Sequence, residues 1–412
     1  MKLQDIKNEF SKYLVIKDEW AIDMVIATLI GNLVLKEDPV WLMIVGISSG
    51  GKTSIIAPCA GLKQVIFCDD ISEKTFLSGY KVKGKDTSLL NKLGGGIMAF
   101  SDFTTMLSKN PMSKGEILAQ FKMVYDGKLT KHTGTGTLEW EGRVGLIAAS
   151  TPDVYYHLES SRSMGERFIY YWMDQPTDLE VAKKRETRTL SSKEITLVMQ
   201  RMYGDYVREI ANAVLERGMP TFNLTEAQHE AIRTAAIFSV NGKTTVHTDF
   251  KSGKVDQIPN KAGVGRDNNT LYVLIRALHL IDCFENNDWN LPVSERIIHI
   301  AEKCSYSSIN RERRKILEVL TMQEKPLASV DIGAAEGLGM EKDSIEKYLT
   351  PLHAVGLIRK KIGNPNKWYI GDEATRDFVK KVSVTVKDEG IIIPVEHMDY
   401  DEGQGFASGY GY

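Results

Sequence analysis

The sequence predicts an α/β fold in which a parallel β-sheet is flanked by helices. Short apolar runs, typical of buried parallel strands, occur at residues 40–45, 65–68, 96–100, 144–149 and 169–173. The first run leads through a glycine-rich loop into a segment that can open a helix, and a second such segment, from residue 113, lies between the third and fourth runs. From residue 177 to about residue 300 the apolar periodicity is mainly helical.

Composition limits the possible functions. The chain has 412 residues, 42% hydrophobic and 26% charged, so it can bury a core and form about two to three domains. The net charge of −2 means that any contact with nucleic acid must depend on local basic patches. The four cysteines lack metal-ligand spacing, which favours a reducing cytoplasm. The apolar stretch 20–35 is interrupted by Asp23 and Asn32, so we expect a cytoplasmic protein with no signal peptide and no membrane partner.

Five segments are expected along the chain. Residues 1–38 form two amphipathic helices packed on the core, and Asp18 caps the second. Residues 39–176 form the α/β core, 177–305 a helical lid, and 306–374 a winged helix, because three helical segments are followed there by a β-hairpin. Residues 375–412 are expected to form a flexible, acidic tail rich in glycine and tyrosine.

The glycine-rich loop carries the strongest motif. Its sequence Gly46-Ile47-Ser48-Ser49-Gly50-Gly51-Lys52-Thr53 fits G-x-x-x-x-G-K-[ST], after a strand and before a helix. Glycines let backbone N–H groups turn towards phosphate oxygens. The residues expected to bind the nucleotide are Gly46, Ser48, Ser49, Gly50, Gly51, Lys52, Thr53 and Ser54. Lys52 would reach the β- and γ-phosphates and Thr53 would hold Mg²⁺, so we expect ATP or GTP as the ligand.

Polar residues follow two further strands of the core. The run 96–100 ends in Ser101 and Asp102, and an acidic residue at such a strand end manages Mg²⁺ and the attacking water in P-loop enzymes. The alternatives are a turn-forming role for Asp102, or the same catalytic role for Asp69-Asp70 after run 65–68. The hydroxyl of Thr151, after run 144–149, could bond the γ-phosphate or the water. Asp102 and Thr151 are therefore candidate catalytic residues.

A basic hairpin and a lone arginine complete the candidates in the core. Ser113-Lys114-Gly115-Glu116 matches a capping box and predicts the start of a helix. The threonine-rich stretch 128–141 then reads as a β-hairpin whose Lys128, Lys131 and His132 could contact a nucleic-acid backbone or merely face solvent. Arg167, at the entry to the last strand, could reach the nucleotide of a neighbouring subunit, or form a structural ion pair with an acid such as Glu166.

The C-terminal module offers a second basic surface. Its hairpin carries Arg359, Lys360, Lys361 and Lys367, which suits contact with phosphates. The alternative is a winged helix that docks onto another protein, because such folds host unrelated functions.

The order of these parts resembles the AAA+ ATPases, and among them the minichromosome maintenance (MCM) helicases and related phage replication ATPases. The resemblance covers residues 41–173 and extends weakly over the lid and the C-terminal module. It implies that 93–103 is a Walker B strand with Asp102, that Thr151 is sensor 1, that Lys131 lies on a hairpin facing a ring's pore, and that Arg167 is an arginine finger. Arg266 and Arg276 both qualify as the sensor 2 arginine.

The sequence departs from this family at several points. The Walker B acid pair is replaced by Ser101-Asp102, so one carboxylate is missing, and sensor 1 is threonine instead of the usual asparagine. The cysteines do not support a zinc-binding front domain. The size and the missing front domain look more like a phage or plasmid protein acting in a bacterial host.

These patterns lead to three hypotheses about function. The first is an ATP-hydrolysing motor that forms a homo-oligomeric ring, expected to be a hexamer, moves on single-stranded DNA in its pore, and works as a replicative helicase or translocase with replication partner proteins. The second is a helicase loader or initiator that uses ATP as a switch, which the single carboxylate favours. The third is an ATP-dependent regulator that binds DNA through the winged helix. A packaging motor is disfavoured because no nuclease-like acidic cluster follows the core.

Overall fold

The computed structural model of this chain describes residues 1–83, 85–133, 136–159, 162–249 and 254–385. Its α-helices are α1 (Leu3–Tyr13), α2 (Trp20–Ile30), α3 (Lys52–Ile56), α4 (Leu89–Leu93), α5 (Phe103–Leu107), α6 (Pro111–Tyr125), α7 (Asp153–Glu159), α8 (Arg162–Gly165), α9 (Asp178–Glu186), α10 (Ser192–Arg217), α11 (Glu226–Lys243), α12 (Gly265–Asn286), α13 (Glu295–Tyr306), α14 (Arg311–Thr321), α15 (Ser329–Ala334), α16 (Lys342–Ala354) and α17 (Glu373–Thr385). A π-helical turn over Gly31–Leu35 extends α2, and a 3₁₀ turn over Ala57–Gly61 follows α3.

The strands are β1 (Trp41–Val45), β2 (Val65–Phe67), β3 (Lys81–Val82), β4 (Lys85–Asp86), β5 (Ile97–Phe100), β6 (Lys128–Thr133), β7 (Gly136–Glu141), β8 (Gly145–Ser150), β9 (Ile169–Trp172), β10 (Leu327–Ala328), β11 (Arg359–Lys361) and β12 (Lys367–Tyr369). The five strands expected from the apolar runs form one sheet in the order β2-β5-β8-β1-β9, and every neighbouring pair is parallel. The predicted α/β class with a parallel sheet is therefore confirmed.

Both faces of this sheet are covered, which explains why its strands read as continuous apolar runs. All five residues of β1 are buried. Leu42 and Ile44 pack into a core with α1, α2 and the helices after residue 177, whereas Met43 and Val45 pack into a second core with α5 and α6. Successive side chains of a strand point to opposite faces, so one short strand contributes to both cores.

The N-terminal helices are joined to distant parts of the chain by buried charges. Asp18 does not cap α2, contrary to the expectation from sequence: the N-cap residue is Glu19, and no side chain bonds the cap. Asp18 is 3% exposed and instead accepts hydrogen bonds from Tyr171 Oη at 2.7 Å and Lys303 Nζ at 2.7 Å. Lys303 also donates to Asp174 at 2.9 Å. Residues from α13 and from the end of β9 thus hold the loop between α1 and α2.

The C-terminal part contains α14, α15 and α16 and an antiparallel sheet in the order β10-β12-β11. That this arrangement is a winged helix stays a prediction. The flexible tail was expected to begin at residue 375, but residues 373–385 form α17, because Phe378, Val379 and Val382 are apolar at helical spacing and are buried. Phe378 packs against Phe238 of α11, with the ring centroids 4.6 Å apart. The rest of the expected tail, residues 386–412, lies outside the described residues.

Among the described residues, none of the helices combines the length and the apolar character that crossing a lipid bilayer requires.

Candidate active site

The glycine-rich loop lies at the carboxyl end of β1, between that strand and α3. Ser49 and Gly51 have left-handed backbone conformations, with φ of 62° and 88°. Glycine adopts this conformation without the steric cost of a Cβ, which explains glycine at position 51. The loop is also anchored to β8, because Gly46 N donates to Ser150 O at 3.2 Å.

Lys52 places its ammonium group inside this loop. The residue is 8% exposed, and Nζ donates to the carbonyl oxygens of Gly46, at 2.7 Å, and of Ile47. Burial lowers the pKa of Lys52, and the negative charge of Asp102 partly opposes this effect. The loop therefore holds a positive charge that has backbone carbonyls as its hydrogen-bond partners.

Thr53 and Asp102 lie beside the loop at the end of β5. Thr53 Oγ1 donates to Ser101 O at 3.3 Å, which joins the start of α3 to the residue before Asp102. Asp102 is exposed and caps α5, since its Oδ1 accepts from Thr104 N at 2.9 Å. The helix-capping role and a role at the site are compatible, because a carboxylate can accept several hydrogen bonds.

The rival acidic pair lies farther from the loop. Asp69 and Asp70 follow β2, which is at the edge of the sheet, and two strands, β5 and β8, separate it from β1. Asp70 forms an ion pair with Lys109, whose hydrogen bond and charge lower the pKa of Asp70. The strand order thus favours Asp102 over Asp69-Asp70.

A cluster of hydroxyl groups joins the ends of β5 and β8. Thr104 Oγ1 lies 2.9 Å from Ser150 Oγ and 3.3 Å from Thr151 Oγ1, and it accepts from Thr151 N at 3.2 Å. Thr151 Oγ1 also bonds Asp153 at 3.2 Å. The sequence pointed to Thr151 but not to Thr104. The only available indication was that Thr104 follows Asp102 by two residues.

A cavity of about 270 Å³ opens next to the loop. One wall is formed by residues 13–16, at and after the end of α1. Another is formed by residues in and after α9. Lys184, Arg185 and Arg188 line it together with Lys52 and Thr53. These three basic residues were not predicted from the sequence. Segment 179–188 is clearly rich in charge, but only the folded chain shows which of its cations face the loop.

The two sensor 2 candidates do not line this cavity. Arg266 lies 3.8 Å from Glu166 and stands over the ring of Tyr125 at 5.8 Å. Arg276 forms an ion pair with Glu37 at 2.6 Å. In this single chain, α9 and the residues after it supply the basic groups that face the loop, and α12 does not.

Gln175 is a second residue that sequence reasoning missed. Its side chain lies across the glycine-rich loop: a Cβ placed on Gly46 would be 2.5 Å from Gln175 Nε2, and one placed on Gly50 would overlap Oε1. Nε2 donates to Met173 O at 2.7 Å, whereas the buried Oε1 has no hydrogen-bond partner among the described residues. A side chain at position 46 or 50 would therefore displace the end of Gln175.

Arg167 is buried and pairs with a carboxylate, that of Asp126, which is half exposed. Arg167 is 6% exposed, and Nη2 lies 2.7 Å and 2.9 Å from the two carboxylate oxygens of Asp126. Its guanidinium also stands over the ring of Tyr125 at 5.4 Å. This is the structural alternative considered from the sequence, with Asp126 as the acid instead of Glu166. The role of Arg167 as a finger stays a prediction that would require it to leave this pair.

The basic hairpin β6–β7 forms as expected, with residues 134 and 135 of its turn outside the described residues. Lys131 is tied back to the core, since Nζ donates to Glu73 O at 2.6 Å. His132 is exposed and lies 3.0 Å from Thr137 Oγ1. Lys128 is exposed as well.

The second basic surface, on β11 and β12, is open to solvent. Lys360, Lys361 and Lys367 are exposed, and Lys360 lies over the ring of Trp368 at 5.0 Å. Five of the six residues proposed to contact DNA are thus accessible, and Lys131 is the half-buried exception.

The described residues contain no group of three or more His, Cys, Asp or Glu side chains that could hold a metal ion. A hydroxyl from Thr53 and a carboxylate from Asp102 are oxygen donors of the kind that Mg²⁺ prefers when phosphate oxygens and water complete its shell. The site therefore fits an ion that arrives with a nucleotide. No protein-family model matches this sequence, and no curated protein matches it.

Proposed function

We propose that this protein binds ATP with Mg²⁺ at the glycine-rich loop and hydrolyses it. The observation that carries the proposal is the buried ammonium group of Lys52, held inside a loop at the carboxyl edge of a parallel sheet. The carbonyls of Gly46 and Ile47 are neutral acceptors, and a triphosphate would replace them with charged oxygens that form stronger hydrogen bonds.

The roles follow from where the side chains lie. Lys52 binds the β- and γ-phosphates, and backbone N–H groups of the loop bind the others. Thr53 and Asp102 would hold the Mg²⁺, which supplies positive charge to the β- and γ-phosphates. The hydroxyls of Thr104 and Thr151, which lie 3.3 Å apart, would orient the water that attacks the γ-phosphate.

The cavity beside the loop supports a nucleotide as the ligand. Its apolar wall, which includes Leu14 and Ile16, suits a base, and Lys184 and Arg185 on the opposite wall suit phosphate oxygens. Gln175 must shift if a phosphate is to lie against Gly50, and the lack of a hydrogen-bond partner for its Oε1 lowers the cost of that movement.

We further propose that the hydrolysis drives movement on DNA within a homo-oligomeric ring, as the sequence resemblance to AAA+ helicases implies. The exposed Lys360, Lys361 and Lys367 support contact with a phosphate backbone. The helices α9–α13 would act as the lid, and the module from α14 to β12 as a winged helix. Arg167 acts across a subunit interface only if its pair with Asp126 opens in the ring.

The test compares two variants of full-length protein. Lys52→Ala should abolish ATP turnover, because the central charge of the loop is lost, while Lys92→Ala, at an exposed position of α4, should leave turnover unchanged. Light scattering with an ATP analogue and single-stranded DNA should give the mass of a homo-oligomer, and imaging of the same sample should show a ring. Normal turnover by Lys52→Ala would refute the assignment of the site, and lone molecules that hydrolyse ATP normally would refute the ring.

A nucleotide switch that loads a helicase is the second candidate. One observation favours it: Ser101 precedes Asp102 after β5, so one carboxylate stands where a Walker B strand carries two acids. An unwinding assay on a forked duplex separates the two candidates. A motor unwinds the duplex alone, whereas a loader unwinds nothing alone but assembles with a partner helicase.

A further inference from the structure

A second cavity lies on the other side of the segment that closes the glycine-rich loop. It has a volume of about 220 Å³ and lies between the end of β9, α13, α14 and the turn after α15. Trp172 and Asp174 line this cavity, whereas Met173 lines the first cavity and Gln175 covers the loop. Alternate residues of one extended segment therefore face two different sites.

This second cavity is rich in positive charge. Four cationic side chains line it, and two carboxylates oppose them. The cations are Lys303, Arg311, Arg314 and Lys315, and the acids are Asp174 and Glu318. Both acids are engaged: Asp174 accepts from Lys303 at 2.9 Å, and Glu318 accepts from Tyr306 Oη at 2.9 Å and lies 3.5 Å from Lys315.

Arg314 is the unusual group in this set. It is only 8% exposed, and its Nε is buried without a hydrogen-bond partner in the described part of the chain. Its guanidinium lies over the ring of Trp172, with Cζ 4.2 Å from the ring centroid. Within the described ranges, neither Arg311 nor Arg314 has a carboxylate within ion-pair distance. Asp174 lines the same cavity and acts on the charge of Arg314 from beyond ion-pair distance. A buried guanidinium without a carboxylate in direct contact is costly, and stacking on an indole offsets only part of that cost.

We propose that this cavity binds a phosphate group, either in a nucleic-acid backbone or as a free anion. A guanidinium fixed by stacking presents a planar fork that matches two phosphate oxygens, and Arg311 and Lys315, one turn apart on α14, add positive charge beside it. The proposal rests on the cavity alone and does not require nucleotide hydrolysis at the glycine-rich loop.

A nucleic-acid backbone is the favoured source of this phosphate group. Arg311 is exposed at the mouth of the cavity, so a chain of phosphates can continue outwards from Arg314 across α14. A site occupied in this way would touch Trp172, and movement of Trp172 would be passed to Met173 and Gln175 beside the loop.

The experiment uses the full chain in a Lys52→Ala background, so that phosphate binding at the glycine-rich loop does not contribute. Inorganic phosphate and a single-stranded oligonucleotide are titrated separately while tryptophan fluorescence is recorded, and Trp172→Phe identifies the source of the change. Arg314→Met should remove the fluorescence change and weaken the oligonucleotide about tenfold, with a salt slope smaller by about 0.7 for one lost contact to a single strand. Arg314→Lys keeps the charge without the planar fork, so its affinity for the oligonucleotide should lie between those of the wild type and Arg314→Met.

Arg217 provides the matched control, because its guanidinium also stacks on an indole, that of Trp289 at 4.9 Å, at a site without this cavity. Arg217→Met should change neither titration. Phosphate binding that depends on Arg314 while oligonucleotide binding does not would support the site with a free anion as its ligand. The proposal would be overturned if both titrations gave the same fluorescence change and the same affinity whether residue 314 is arginine, methionine or lysine.

Discussion

Replacing Gly50 by alanine tests whether Gln175 covers the glycine-rich loop. The backbone of Gly50 is outside the left-handed region, so an alanine is not strained there. The added Cβ overlaps Gln175 Oε1 and lies 2.5 Å from its Cδ. Because this is the flexible end of a side chain, Gln175 can swing away, but it then loses the hydrogen bond from Nε2 to Met173 O.

The expected magnitude follows from that bond. One hydrogen bond contributes about 0.5–1.5 kcal/mol, so Gly50→Ala should lower the free energy of unfolding by about 1 kcal/mol. In a Gln175→Ala background the overlap is absent, and the same substitution should cost almost nothing. The two substitutions should therefore show a coupling of about 1 kcal/mol.

Chemical denaturation of the wild type, both single variants and the double variant, without nucleotide, measures this coupling. Gly115→Ala is the matched control, since Gly115 is exposed within α6 and has no atom within 4 Å of its added Cβ. That control should raise stability by about 0.5–1 kcal/mol, because alanine is the better helix former. If Gly50→Ala costs the same in both backgrounds, Gln175 does not lie over the loop.

Three further predictions concern Lys52, Arg167 and α17. Burial lowers the pKa of Lys52 below 10.5, so the unfolded chain binds more protons and stability rises with pH between the lowered pKa and 10.5. Lys52→Met should therefore have a higher free energy of unfolding than the wild type near pH 7, and the difference should shrink as the pH rises towards 10.5. Denaturation curves in which the difference does not shrink would contradict a lowered pKa for Lys52. Arg167→Ala and Asp126→Asn should each lower the free energy of unfolding by about 0.5–1.5 kcal/mol, because solvent screens the half-exposed carboxylate of Asp126. Loss of ATP turnover in Arg167→Ala alone would support the finger role, and wild-type turnover in that variant would exclude it. Phe378→Ala should cost about 3–5 kcal/mol, and a loss below about 1 kcal/mol would show that α17 is dispensable.

Local patterns were sufficient for the core of the fold. Strands of the parallel sheet are buried on both faces, so each appeared as an uninterrupted apolar run. The phosphate-binding motif is expected between a strand and a helix, and it follows the first of these runs. The site residues with a fixed distance from these strands, namely Lys52, Thr53, Asp102 and Thr151, could be named for the same reason.

Features that depend on distant contacts could not be predicted. Asp18 looked like a helix cap but has partners more than 150 residues away. The apparent capping box at Ser113 failed for a local reason instead: Pro111 starts α6 two residues earlier, and Asn110 Oδ1 accepts from Ser113 N. Gln175 has no motif at all, and only its position across the loop marks it.

The contact between Asp18 and Lys303 also bears on how the chain matures. These residues are 285 positions apart, and the buried carboxylate gains its cationic partner only when Lys303 has been made. At a synthesis rate of about 5–20 residues per second, Asp18 leaves the ribosome on the order of 15–60 s before Lys303. During that interval the first two helices cannot dock in their final place, so a nascent chain halted before residue 303 should still be open to protease near its start.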